Sequence, residues 1–290
     1  MLKTLKKIVR KLAMALHSIR RASSLVLPYF IGSESSKCDV VYVIENANWS
    51  IRMDGLNIVS NLRHYQRNGW VDISSTLYRN KIIHFGSSYV FEQFAETLRP
   101  DHNKYLINFF HGNIEGDPVF NRRFELIEKY VESIAGLIYS TSIMKQRFLD
   151  SGFPENKLFH VPIGVDVNKF KPDTKQNIQT KRQMLGIPEN ALVVGSFQKD
   201  GEGWKEGLKP KLIKGPDIFL EIVTNISLKN PNTIVLLTGK RRNYLIKNFE
   251  ERNINYKYLE MVDLKELNEL YNVLDLYVVS SRIEGGPQAI

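Results

Sequence analysis

Two short stretches in the last third of the sequence carry the residue types that phosphate chemistry needs. Lys214-Gly215-Pro216-Asp217 precedes a run in which Ile218, Phe219, Ile222, Val223 and Ile226 keep helical spacing. Pro216 suits the first helical position, and Gly215 permits close backbone approach. Free N–H groups, the helix dipole and the Lys214 ammonium would then converge on one point, an anion site suited to phosphate. Taken alone, the motif also reads as an exposed lysine ahead of an ordinary helix. Seventy residues on, Ser280-Ser281-Arg282-Ile283-Glu284-Gly285-Gly286-Pro287-Gln288 follows an apolar strand. Its single carboxylate stands before a Gly-Gly turn whose N–H groups can face a second part of the same ligand.

Other chemistries lack their residues. Gly201, Gly203 and Gly207 after a strand give G-x-G-x-x-x-G, the wrong spacing for a dinucleotide fingerprint, and no P-loop occurs. There is no G-x-S-x-G elbow. No Asp-x-Asp supplies the carboxylate pair of a metal-dependent sugar transferase. His17, His64, His102 and His160 have no partners at metal-ligand spacing, His84 in Ile83-His84-Phe85 reads as a core or strand-end histidine, and Cys38 is the single cysteine. The expectation is no metal and no cofactor, in a reducing cytoplasm.

These loops need a frame. From Lys37 short apolar strands alternate with longer helical stretches, as in parallel α/β layers. Val40–Ile44, Ile82–Phe85, Tyr105–Phe110, Leu137–Ser140 and Leu158–Pro162 read as strands, with helices over Asp54–Asn68, Tyr89–Leu98, Phe120–Ser133 and Ile143–Ser151. A polar stretch from Asp166 to Thr180 reads as irregular. The alternation resumes with strands at Ala191–Phe197, Thr233–Thr238, Tyr256–Leu259 and Leu274–Val279, and helices from Pro216, over Arg242–Arg252 and over Leu264–Val273. The division is therefore a leader over 1–36, a first domain over 37–170, a linker over 171–190 and a second domain over 191–290. The fold class is α/β, two Rossmann-like domains with parallel sheets facing across a cleft, where such sheets bind ligands.

The net charge of +9 among 290 residues is concentrated in the leader, whose first 30 residues hold seven Lys or Arg and no acid. The remainder carries 33 basic against 31 acidic groups, too balanced for a nucleic-acid-binding body. Leu2, Leu5, Val9, Leu12, Leu16 and Ile19 form one helical stripe among cations, so residues 1–21 fit either an anionic membrane surface or the protein's own surface. No run of about 18 apolar residues suits a membrane span.

As a set, Val161-Pro162-Ile163-Gly164-Val165-Asp166, Lys214-Gly215, Leu270-Tyr271 with Asp275, and Ser280 through Gly286 resemble the retaining GT-B glycosyltransferases of glycosyltransferase family 4, over roughly residues 38 to 290. The resemblance implies a GT-B-like fold and transfer from a nucleotide-sugar donor to a saccharide or lipid-linked acceptor with retention, in polysaccharide or glycolipid assembly; a place on the inner membrane face is suggested only by the basic leader. It implies that Lys214 binds the donor diphosphate, Glu284 holds sugar hydroxyls, and Gly215, Gly285 and Gly286 contribute backbone. It also gives His111 a place near the transferred sugar, and Asp54 and Gly55 a place near the donor phosphate and the acceptor. Two departures stand out. Ser196 occupies the position of the family's arginine, with Lys199 the nearest substitute cation, and the family's second glutamate would fall two residues beyond Ile290. The sequence therefore reads as truncated, its second domain incomplete. A nucleotide-sugar epimerase or hydrolase of the same fold, or an inactive binding remnant, are the competing functional readings.

Overall fold

The computed structural model describes residues 37–46, 50–76, 78–112, 118–203 and 206–289. The expected leader helix and its membrane contact lie outside the described residues. The chain divides into two compact units. The first ends at Ile163 and takes in the last residues from Gly285 onward, and the second is Gly164–Glu284.

In the first unit six parallel strands run in the order β2-β1-β3-β4-β5-β6. They are β1 (Val40–Val43), β2 (Gly69–Asp72), β3 (Ile82–Phe85), β4 (Lys104–Asn108), β5 (Ile134–Tyr139) and β6 (Leu158–His160). Val40 pairs with Gly69 on one side and Ile82 on the other. All four residues of β1 are buried, because helices cover a parallel sheet on both faces. The helices are α1 (Ser50–Asn61), α2 (Ser88–Phe94), α3 (Pro118–Lys129) and α4 (Ser142–Asp150). Ser87 and Thr141 cap α2 and α4, their hydroxyls accepting from Val90 N and Met144 N.

The second unit has four parallel strands in the order β10-β7-β8-β9, with β7 (Leu192–Ser196), β8 (Thr233–Thr238), β9 (Tyr256–Leu259) and β10 (Leu276–Tyr277). Its helices are α5 (Lys175–Met184), α6 (Pro216–Lys229), α7 (Asn243–Glu251) and α8 (Leu264–Asn272). One core joins Val194, Val235 and Leu237 to Phe219, Leu220 and Val223 of α6 and to Leu245 and Phe249 of α7. A smaller one lies on the other face around Val193, Leu236, Leu270 and Val273.

The two parallel α/β sheets are those expected, with four differences. Strand β2 follows α1 as a half-buried edge strand that the sequence reading passes over. Helix α5 occupies the stretch read as irregular; its pattern is almost wholly polar, and ion pairs from Lys181 to Glu266 and Glu269 and from Arg182 to Asp275 hold it. Strand β10 is two residues long where six were expected. The units meet at Ile163/Gly164, and the residues from Gly285 belong with the first unit. There the Ser140 hydroxyl donates to the Gly285 carbonyl, and Gln288 Nε2 donates to Asp54 Oδ1 at 2.9 Å.

Candidate functional site

In the second unit the order of strand addition reverses between β7 and β10, which are parallel, so the loops after these strands open side by side, the place where open α/β sheets bind ligands. Lys214 closes a short 3-10 turn, Leu212–Lys214, directly before α6. Glu284 ends the loop after β10. Their side chains meet: Lys214 Nζ lies 2.5 Å from Glu284 Oε1, both groups about a quarter or less exposed. The same oxygen accepts from Gln198 Nε2 at 2.8 Å and from the Ser281 hydroxyl at 2.7 Å. One carboxylate oxygen thus carries an ammonium, an amide and a hydroxyl, which fixes both charges before any ligand arrives.

Backbone contacts weld the two loops. Gly215 sits in the left-handed region at φ 60°, and a Cβ there would run into the carbonyl oxygen of Ser280. Its closeness serves the neighbouring loop, where the sequence reading expected room for a ligand. Ser280 Oγ donates to Lys214 O, and Arg282 N donates to Ile213 O. The N-terminus of α6 also differs from expectation. Asp217 already supplies an anion to the first turn: two Arg282 nitrogens bind its two oxygens, and Arg282 with the amides of Asp217 and Ile218 holds its carboxyl below the usual range. The positive end of the helix is therefore partly answered from within, leaving the ammonium groups as the main attraction for an anion.

The loop from Gln198 to Lys211 is pinned from below. Arg242, 1% exposed, donates to Asp200 Oδ1 and to the carbonyls of Ser196 and Thr238, and Asp200 Oδ2 accepts from Leu245 N. Burial pushes the Asp200 carboxyl up against the opposing pull of Arg242. Gly201 and Pro210 form an antiparallel bridge above this pair. Lys199, the expected substitute cation, rides on the loop with Nζ donating to Gly203 O at 2.9 Å. Its pKa is pushed down by burial and by Lys211 and Arg241.

In the first unit the order of strand addition reverses between β1 and β3. Asp54 and Gly55 lie on α1, Gly55 packed so closely on Tyr42 that a Cβ would overlap its ring. Burial raises the Asp54 carboxyl, with Gln288 opposing. Gly285 lies against the Phe110 backbone, its Cβ position already filled by that carbonyl, and Gly286 is exposed at φ 91°. His111 is exposed beyond β4, its ring edge-on to Phe120 at 5.8 Å. Beneath these residues runs a buried chain: His84 Nε2 and Asn108 Oδ1 are 2.8 Å apart, and Asn108 Nδ2 donates to the Tyr42 hydroxyl at 3.0 Å. Burial pushes His84 down to about 4 and raises Tyr42, whose phenolate Asp54 also disfavours.

The structure thus brings Lys214, Gly215 and Glu284 together in one unit, and Asp54, Gly55, Gly285 and Gly286 with His111 belong to the other. Sequence reasoning missed Gln198, Ser281 and Arg282. A signal existed for two of them, since Ser281 and Arg282 stand one turn before Glu284 at a strand end. Among the described residues no three His, Cys, Asp or Glu groups gather as a metal would need, and no helix is long and apolar enough to cross a membrane.

No family model matches the chain. Over 207 residues it is 22% identical to a GDP-mannose-dependent monoacylated alpha-(1-6)-phosphatidylinositol monomannoside mannosyltransferase of Corynebacterium glutamicum, a match covering 70% of this chain and 51% of that protein. The chain therefore spans about half the length of the curated relative it matches. Among solved structures, HepE of Anabaena in complex with UDP and glucose matches with a TM-score of 0.63 at 12% identity, over 84% of this chain and 74% of that one. A glycosyltransferase from Rickettsia africae matches at 0.57 and 13% identity, over 84% and 73%. At such identities the likeness is one of fold. The fold, α/β with two parallel sheets, is that of these GT-B glycosyltransferase structures.

Proposed function

We propose that this chain is a glycosyltransferase module that takes the sugar of a nucleotide-sugar donor and passes it to a saccharide or lipid-linked acceptor with retention, without a metal, in cell-surface polysaccharide or glycolipid assembly on the inner face of the membrane. The observation that carries the reading is the Lys214–Glu284 pair at the switch point of the second sheet. Breaking the anomeric C–O bond leaves positive charge on the sugar and negative charge on the departing diphosphate. An ammonium already in position for that negative charge stabilises the transition state without reorganisation. Glu284, steadied by Gln198 and Ser281, offers carboxylate acceptors to sugar hydroxyls while Lys214, held by the same carboxylate, meets the phosphate. Lys199 adds a second cation, the turn at Gly286 offers open backbone, and His111 takes the place beside the transferred sugar that the resemblance gives it. Asp54 and Gly55 serve the donor phosphate and acceptor side. The names of the relatives support the donor class: one is GDP-mannose-dependent, and another binds UDP and glucose.

The test is to incubate the chain with labelled UDP-glucose or GDP-mannose, with and without glycolipid acceptors, and in the presence of a chelator. Acceptor-dependent transfer that survives chelation, giving a product of unchanged anomeric configuration, is expected. Sugar released equally without acceptor assigns a hydrolase or epimerase. Failure of both turnover and nucleotide-dependent thermal stabilisation would reduce the chain to an inactive module.

A further inference from the structure

Lys211 belongs to none of the pairs described above. Its backbone is fixed on both sides: its N–H donates to Asp200 O at 2.7 Å, and its carbonyl accepts from Lys214 N at 2.8 Å. Through Asp200 it is tied to the buried Arg242, so the position of this residue is set by the core of the second unit. The side chain is half-buried, yet its ammonium makes no hydrogen bond or ion pair with any described residue. Its charged neighbours are Lys214 and Lys199, with Glu202 and Glu284 opposing. Both carboxylates are engaged elsewhere, Glu202 with Lys209 at 2.7 Å and Glu284 with Lys214. Burial and Lys214 together push the Lys211 ammonium below its ordinary pKa.

A partly desolvated cation beside two others, with no ion pair of its own among the described residues, is unfavourable in the empty protein. It becomes favourable when a multiply charged anion enters. We infer that Lys211 is a diphosphate-binding residue, a third cation alongside Lys214 and Lys199 that contacts the phosphate of a nucleoside diphosphate farther from the nucleoside. This rests on the donor-binding reading of the same loops and adds to it a residue and a selectivity, diphosphate over monophosphate. A purely structural lysine would give the opposite stability effect, because removing it would loosen the loop; removing an unpaired half-buried charge relieves repulsion.

The experiment compares the full chain with Lys211→Met and Lys211→Arg, by calorimetry against UDP, GDP, UMP and GMP and by ligand-free thermal melts. Lys211→Met should bind UDP or GDP about tenfold more weakly and change the monophosphates about twofold or less, consistent with one lost charge-assisted contact. Without ligand it should melt no lower than the parent. Lys211→Arg should keep diphosphate affinity within about threefold. Unchanged diphosphate binding by Lys211→Met overturns the inference while leaving the donor-binding reading intact. So does a loss that is equal for mono- and diphosphates, or one accompanied by a lower melting temperature. A parent chain that binds none of the four nucleotides overturns both.

Discussion

At the strand ends of the first sheet, His84, Asn108 and Tyr42 form a chain of uncharged side chains sealed from water, whereas at the strand ends of the second sheet Lys214, Glu284, Lys199 and Lys211 are charged and partly exposed to solvent. Both sets stand on the same kind of frame, a parallel sheet with a reversal of strand order beside its first strand. The frame therefore does not dictate the chemistry. Burial does. Behind Tyr42 the closely packed Gly55 and Gly86 leave no room for water, and a charge there would lack solvation. Among the described residues the second unit seals the Asp200–Arg242 pair and leaves the charges of the candidate site accessible.

The comparison breaks first at that sealed pair. Asp200→Ala leaves the Arg242 guanidinium buried without its carboxylate, and the second unit should lose about 3–5 kcal/mol of stability, measured by urea unfolding. A loss under about 1 kcal/mol would mean that the pair is not the anchor of the loop. Next come the open charges. Lys214→Ala and Glu284→Gln should each lower transfer about 10²- to 10³-fold, as removal of one preorganised stabilising group does, while the melting temperature stays near that of the parent. Turnover within tenfold of the parent would detach this pair from catalysis.

The sealed chain of the first unit predicts a response to acid. His84 is held neutral in the fold, its pKa pushed down to about 4 from an ordinary 6.5. The unfolded chain takes up its proton first, so stability contributed by neutral His84 is complete above about pH 6.5 and drains away as pH falls towards about 4, by about 3 kcal/mol. Urea melts at intervals from pH 7.5 to 4 should show this slope in the parent and a flatter one in His84→Gln, which keeps a hydrogen-bonding side chain near Asn108. Equal slopes would place the titration elsewhere. The smallest effect is at Ser281. Ser281→Ala removes one of three donors to Glu284 Oε1, worth about 1 kcal/mol, and should raise the donor KM about fivefold with little change in stability.

Much of the frame is legible in the sequence because buried parallel strands are continuous apolar runs, as in Val40-Val41-Tyr42-Val43 and Thr233–Thr238. Strand β2, Gly69-Trp70-Val71-Asp72, is an edge strand half-buried along its length, so it carries no such run. Helix α5 carries no apolar stripe; what fastens it are Lys181 and Arg182 reaching α8 and the chain beyond it, pairings that only a fold can reveal. At the candidate site, Lys214 and Glu284 stood out because each precedes glycine or proline at the end of a strand or turn. Gln198 and Lys211 did not, since a polar loop is full of such residues and only Asp200, clasped by Arg242, decides which of them point together. The answered helix end at Asp217 escaped notice for a related reason: Arg282, which completes it, lies 65 residues away.

The buried arginine has a thermodynamic corollary. A surface loop that carries binding groups usually surrenders freedom when its ligand arrives, and that loss weakens association. Here Arg242 reaches from the start of α7 to the carbonyls of Ser196 and Thr238 and to Asp200, so the same loss is incurred when the polypeptide folds. Nucleotide capture by this unit should therefore show a small entropic penalty, and loosening the rivet should surface in calorimetry as a more unfavourable entropy before it shows as any change in heat.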